Sequence, residues 1–134
     1  MTKMKATYQG NLRVRCSHES GAVLETDAPK DNHGKGENFS PTDLLPAALA
    51  SCMLTLMGIA ARKLGIDLPE ATIDVEKEMA GSPRRIGRIA LRFRSSLSPN
   101  SEVREALELA ARSCPVHYSL HPDILIDIDF AWGL

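Results

Sequence analysis

A chain of 134 residues and 14.6 kDa has the size of one domain, long enough to bury most of a core without disulfide or metal staples. A formal net charge of −1, a pI near 6.4 and 4% aromatic residues leave no electrostatic case for nucleic acid or an anionic membrane and argue against base-stacking surfaces. Hydrophobic content of 43% beside 25% charge is that of a soluble globular protein, so a single domain over residues 1–134 is expected.

The opening stretch MTKMKATYQGNLRVRCSHES has no apolar core and no small-residue cleavage site, so no secretory signal is expected and the chain reads as cytoplasmic. No membrane span is expected either, the apolar run around Cys52 being read as short of the roughly 18 uncharged residues a span needs. Cys16, Cys52 and Cys114 are too few and too dispersed for a structural disulfide framework, and any pairing between two of them would be transient and catalytic.

In chain order, Met4 to Tyr8 alternates, Gln9-Gly10-Asn11 has turn chemistry, and Leu12 to Cys16 alternates again. Leu12, Val14 and Cys16 share one face there, and Arg13 and Arg15 the other. Ala22 to Thr26 follows Glu19-Ser20-Gly21 as a third strand, so a meander is expected. Asp27 to Phe39 has no hydrophobic period and the length of a functional loop.

Ser40 to Gly65, SPTDLLPAALASCMLTLMGIAARKLG, is the central helix. Ser40 suits the N-cap, Pro41 the first helical position, Asp43 a shortened capping box, and Gly65 the C-cap. Pro46 predicts a kink or a restart. Beyond it the run is apolar nearly all round, which predicts burial on every side and a second subunit covering part of it. Ala71 to Ala80 and Arg84 to Ser95 make a hairpin. Its Ile86, Ile89, Leu91 and Phe93 lie largely on one side, and its arginines read as a wet strand face. A second helix starts near Ser98 to Glu102 and ends at Cys114-Pro115. Val116 to Leu120 adds a short turn, and Asp123 to Ala131 closes the chain as a strand with Ile124, Ile126, Ile128 and Phe130 facing in.

Two cysteines draw the chemistry. Cys52 on a buried helix is either a small hydrophobe or the reason for the helix. Cys114 either marks the end of a helix or caps the turn opened by Pro115, where free N–H groups and the helix dipole would lower its pKa. A peroxide-reducing thiol needs a cation beside its thiolate, a shielded pocket and a second thiol. Arg13 or Arg15 could be that cation, or both could be solvated strand arginines. Cys114, His117 and His121 stand at a zinc-like C-x2-H-x3-H spacing, but His121 precedes Pro122 at a strand start and no further cysteine is near in sequence. No metal and no cofactor are expected.

The order of these features, with S-P-T-D-L-L-x-A-A-L-x-S-C at Ser40 to Cys52 and C-P at Cys114-Pro115, resembles the OsmC/Ohr family across essentially the whole chain, closest to its OsmC-like branch. The resemblance implies an α+β fold: an intertwined homodimer with antiparallel sheets wrapped around two central helices per chain and active sites at the subunit interface. It implies a metal-free, haem-free thiol peroxidase that reduces organic or fatty-acid hydroperoxides and is recycled by a dithiol such as a lipoyl protein or another thiol. Cys52 corresponds to the peroxidatic and Cys114 to the resolving cysteine, and Arg13, with Arg15 next, to the arginine that stabilises the thiolate. Where the family has a catalytic Glu this chain has Thr42, so the carboxylate orienting the arginine would be Asp43 or Glu37. Apolar Leu49, Met53 and Leu56 would suit an organic substrate. A non-catalytic stress-related adaptor dimer, or a redox sensor, is the alternative.

Overall fold

The computed structural model describes residues 1–134. Its contacts divide the chain into two compact units, Met1–Leu45 and Pro46–Leu134.

The first unit is built on a three-stranded antiparallel meander, β1 (Met4–Gly10), β2 (Arg13–His18) and β3 (Val23–Asp27), in the order β1-β2-β3. Asn11 and Leu12 both lie at positive φ, 55° and 62°, the backbone of a tight primed hairpin turn whose twist matches that of the strands. Leu12 is therefore a turn residue and not, as its alternation suggested, part of the β2 face. After β3 the chain makes a single 3-10 turn, Lys30–Asn32, and folds back on itself, Asp27 N donating to Phe39 O at 3.1 Å. Gly34 is required there, because a Cβ would stand 1.6 Å from the carbonyl oxygen of Ala28.

The long helix α1 (Pro41–Lys63) begins in the first unit. Its capping box forms as expected: Ser40 N donates to Asp43 Oδ2 at 2.9 Å, and Asp43 N to Ser40 Oγ at 3.2 Å. The helix runs through Pro46 without the expected restart. So early in the helix, proline removes one backbone bond, and the turns beyond it restore the ladder.

The second unit carries β4 (Thr72–Ala80), β5 (Arg85–Ser95), α2 (Ser101–Arg112), α3 (Pro115–Ser119) and β6 (Leu125–Trp132). β4 and β5 form the expected antiparallel hairpin, but β6 pairs with β5 in parallel. The second sheet is thus mixed, not purely antiparallel. A parallel return needs a crossover of a dozen or more residues, and the segment carrying α2 and α3 supplies it. In the hairpin, Glu78 pairs with Arg88 and Met79 with Ile86, leaving Gly87 as a bulge. That extra residue brings Ile86 into phase with Ile89, Leu91 and Phe93 on the buried face.

Leu49, Met53 and Met57, four residues apart on α1, pack with those β5 side chains and with Leu107 and Ala111 of α2. The opposite stripe of α1 is not covered within the chain: Ala48, Ser51 and Thr55 are exposed, and Ile59 is 46% exposed. Burial all round, expected from composition, is not reached in one protomer. Residues 44–61 are all uncharged, so by length and composition alone α1 could cross a membrane, contrary to the sequence reading. Its packing in the second unit is that of the core helix of a folded domain.

The arginines of β5 lie on the outer face, as expected; Arg85 donates to the carbonyls of Gly81 and Pro83, and the other three are matched to carboxylates. Arg88 bridges Glu78 at 2.9 Å and Asp127 at 2.7 Å, Arg92 reaches Asp127 at 3.1 Å, and Arg94 pairs with Asp74.

Candidate active site

In the second unit, Cys52 and Cys114 are close enough for the one to act on the ionisation of the other. Helix α1 presents Cys52 one residue before the buried ridge residue Met53, where it packs against the core cluster that contains Cys114. All three cysteines are free thiols, and Cys114 is 0% exposed while Cys52 is half-buried. The half-buried sulfur is thus the one a solute can reach.

Cys114 occupies the N-cap position of α3, followed by Pro115 at its first position, as the Cys-Pro step predicted. The expected consequence is reversed. Burial pushes the Cys114 thiol up from its ordinary value, and the neighbouring Cys52 pushes it further; the backbone N–H groups of His117 and Val116 pull the other way and lose. A short helix offers only a few amides, whereas a sulfur wholly removed from water forfeits its entire hydration when it ionises. Cys114 therefore keeps its proton and can donate it toward Cys52.

The zinc spacing does not assemble a metal site, since no three His, Cys, Asp or Glu side chains converge as ligands. His117 and His121 line a cavity of about 270 Å³ with Leu120, Pro122, Ile124 and Ile126, and Cys114 is not on its wall. Leu49 and Met53 are 0% exposed, which makes them core residues without surface for a ligand, while Leu56 is half-buried.

The first unit holds the arginine cluster. Arg13 on β2 stands directly opposite Asp27 on β3 and grips it side-on, Nε to Oδ1 at 2.7 Å and Nη2 to Oδ2 at 3.0 Å. Nη2 also donates to Glu37 Oε2 at 3.0 Å, and Glu25 lies 3.8 Å from Nε. The side-chain bonds to Asp27 and then Glu37 hold the guanidinium pKa above its usual range. The Asp27 carboxyl is drawn down to about 2, first by Arg13, against the opposing effect of burial, and further by the N–H groups of Asn38 and Glu37.

Of the sequence candidates, then, Arg13 and Glu37 meet. Arg15 is exposed, opposite Thr7 and Glu25 in the sheet register. Asp43 closes the capping box of α1, while the clamp on Arg13 is built from Asp27 and Glu37. Asp27 was missed, and the hairpin itself held the signal. A turn centred on Ser20 aligns Ser17 with Val23 and, counting outward, Arg13 with Asp27.

The OsmC family model, described as OsmC-like protein, matches residues 34–129. A Psychrobacter arcticus 273-4 protein, provisionally assigned to osmotic stress induction and detoxification response, is 44% identical over 98% of this chain and 96% of its own, with a TM-score of 0.93. The organic hydroperoxide resistance protein OsmC of Legionella pneumophila is similar in fold, at a TM-score of 0.77 and 18% identity over 98% of this chain and 96% of that one. So is the organic hydroperoxide resistance protein OhrB of Bacillus subtilis, at 0.70 and 16%, over 98% of each chain. No curated protein sequence matches.

Proposed function

The chain belongs to the OsmC family of OsmC-like proteins, and we propose that it is a thiol-dependent peroxidase that reduces organic or fatty-acid hydroperoxides to alcohols. The observation that carries this reading is the pair of free thiols at one core cluster, one reachable and one wholly buried and protonated. The Cys52 thiolate attacks the distal peroxide oxygen; the O–O bond breaks, the alkoxide leaves and takes up a proton as the alcohol, and Cys52 becomes a sulfenic acid. The Cys114 sulfur then attacks that of Cys52, the S–S bond forms, and the hydroxyl departs as water with the Cys114 proton. An external dithiol, a lipoyl protein or another thiol, reduces the disulfide by exchange. Arg13 is the cation that favours the Cys52 thiolate, a role it takes from the family resemblance, with Glu37 as a carboxylate that orients it; Arg15 and Asp43 are the lesser candidates.

The active form in this reading is an intertwined homodimer in the cytoplasm, where thiols stay reduced between turnovers. Apolar surface left open on the single chain supports the dimer: Leu45 and Ile59 of α1, Leu64 just beyond it, and Met4, Tyr8, Val23 and Leu24 of the first sheet are all exposed. A redox-sensing dimer without turnover is the second reading. It is favoured by Arg13 already being neutralised by two carboxylates.

Cumene hydroperoxide added to the reduced protein separates them. The enzyme consumes several equivalents of peroxide when dihydrolipoamide is supplied, and without reductant it loses the Cys52 and Cys114 thiols as an intact-mass decrease of one disulfide. A sensor loses the same thiols once and does not turn over. Thiols unchanged after excess peroxide would sink both.

A further inference from the structure

We infer that Asp27 is the positioning residue of Arg13, fixing the direction of its guanidinium and, through the same carboxylate, the loop that brings Glu37 to it. The inference rests on the proposed function only in that Arg13 is taken to act on the thiolate.

The grip is side-on and two-toothed, at 2.7 and 3.0 Å, the geometry in which a planar guanidinium loses both its swing and its rotation. Asp27 Oδ2 accepts three more bonds, from Glu37 N at 3.1 Å, Asn38 N at 3.0 Å and Asn38 Nδ2 at 3.3 Å. One carboxylate thus ties the arginine on β2 to the far end of the loop that follows β3. It is 2% exposed, so water does not compete for its lone pairs. Glu37 is different in kind. Its side chain is 63% exposed and it offers a single bond to Nη2, which solvent and salt weaken. Two carboxylates on one arginine therefore have separate roles: Asp27 is the fixed anchor, and Glu37 the exchangeable contact. The contacts in this unit engage Nε and Nη2.

The test uses the full-length reduced protein and two readouts. The first is hydrogen exchange of the Arg13 Nε–H, seen in a ¹H–¹⁵N spectrum and assigned by its absence in Arg13→Gln. Asp27→Asn is expected to speed this exchange about tenfold, the equivalent of one charge-assisted bond, and Glu37→Gln less than about twofold. The second is the pH midpoint of Cys52 alkylation by iodoacetamide. Asp27→Asn is expected to raise it in the direction of Arg13→Gln, and the double variant no further than Arg13→Gln alone. Arg13→Lys, which keeps the charge and loses the fork, gives the same upward shift and serves if Asp27→Asn does not fold. Wild-type exchange in Asp27→Asn, a wild-type midpoint in Arg13→Lys, or an Asp27→Asn shift undiminished in the Arg13→Gln background each overturns the assignment. Peroxide consumption is followed in parallel. A wild type with protected Nε–H that consumes no peroxide removes the peroxidase reading and leaves the anchoring of Arg13 intact.

Discussion

The arginine cluster of the first unit and the thiol pair of the second hold their reactive groups by opposite means. Arg13 stays charged among carboxylates, each partner stabilised in its ionised form by the other. Cys114 stays uncharged because water is excluded from it. A charge-built site tolerates exposure at its rim, as at Glu37, and fails when a proton neutralises a partner. A burial-built site fails when a polar group or a cavity enters it. The variants that separate the two should differ in what they damage.

The largest effect belongs to the thiols. Cys52→Ser is expected to abolish peroxide consumption, and Cys114→Ser to leave the first oxidation intact while removing the resolving sulfur. The Cys52 sulfenic acid then lacks its neighbouring thiol and proceeds to the sulfinic acid under excess peroxide. Intact mass reads this directly as two added oxygens on Cys114→Ser where the wild type shows loss of two hydrogens. If Cys114→Ser turns over with dihydrolipoamide as fast as wild type, Cys114 is core filler.

Next is the packing that holds the pair. Leu49→Ala removes a fully buried side chain of the cluster to which Cys114 belongs, at an expected cost of about 2–5 kcal/mol. Urea unfolding should show it as a lowered midpoint with an unchanged slope. Because the site is built on burial, the same variant should raise the rate of Cys114 alkylation in the native protein. A midpoint lowered without faster Cys114 labelling would detach the thiol from the core.

The pH dependence should split the two clusters. The Asp27 carboxyl is lowered from 3.8 to about 2 in the folded chain. Its contribution is complete above the unfolded value and is lost as pH falls through the folded one, because the unfolded chain binds the extra proton in that window. The Cys114 thiol is raised from 9.0, so the folded chain holds the extra proton above that value and stability falls as pH rises past it. Unfolding midpoints across pH should therefore drop at both ends. Asp27→Asn should flatten the acid limb alone, and Cys114→Ala the alkaline limb alone. An acid limb unchanged in Asp27→Asn would mean that other carboxylates, such as Asp127 between Arg88 and Arg92, dominate it.

These assignments mark where sequence reading reaches. Period and punctuation are local, so the six strands, the capping box at Ser40 and Asp43, and the Cys114-Pro115 cap were legible. The direction of β6 was not, since alternation is the same for parallel and antiparallel pairing. The open stripe of α1 was hidden because composition counts apolar residues and not the neighbours that cover them. The sign of the Cys114 shift depends on the balance of desolvation against a few amides, which no spacing encodes. Asp27 is the instructive omission. Ending the third strand at Thr26 left it in a loop, although one more step of hairpin register places it opposite Arg13.

The smallest expected effect tests which strand arginine matters. Arg13 and Arg15 point to the same face of β2, and alternation alone treats them as equals. Arg15 is exposed, whereas Arg13 is held by buried Asp27. Arg15→Gln should therefore change stability by no more than about 0.5 kcal/mol and leave peroxide consumption within about twofold of wild type, a change expected for a solvated side chain. Arg13→Gln strands Asp27, whose ionised form is then buried without its cation, and so costs both stability and turnover. Measuring urea midpoints and peroxide consumption for the two variants side by side gives the contrast. Equal losses would show that the face of the strand, and not the anchored guanidinium, is what the reaction uses, and a larger loss in Arg15→Gln would reverse the assignment.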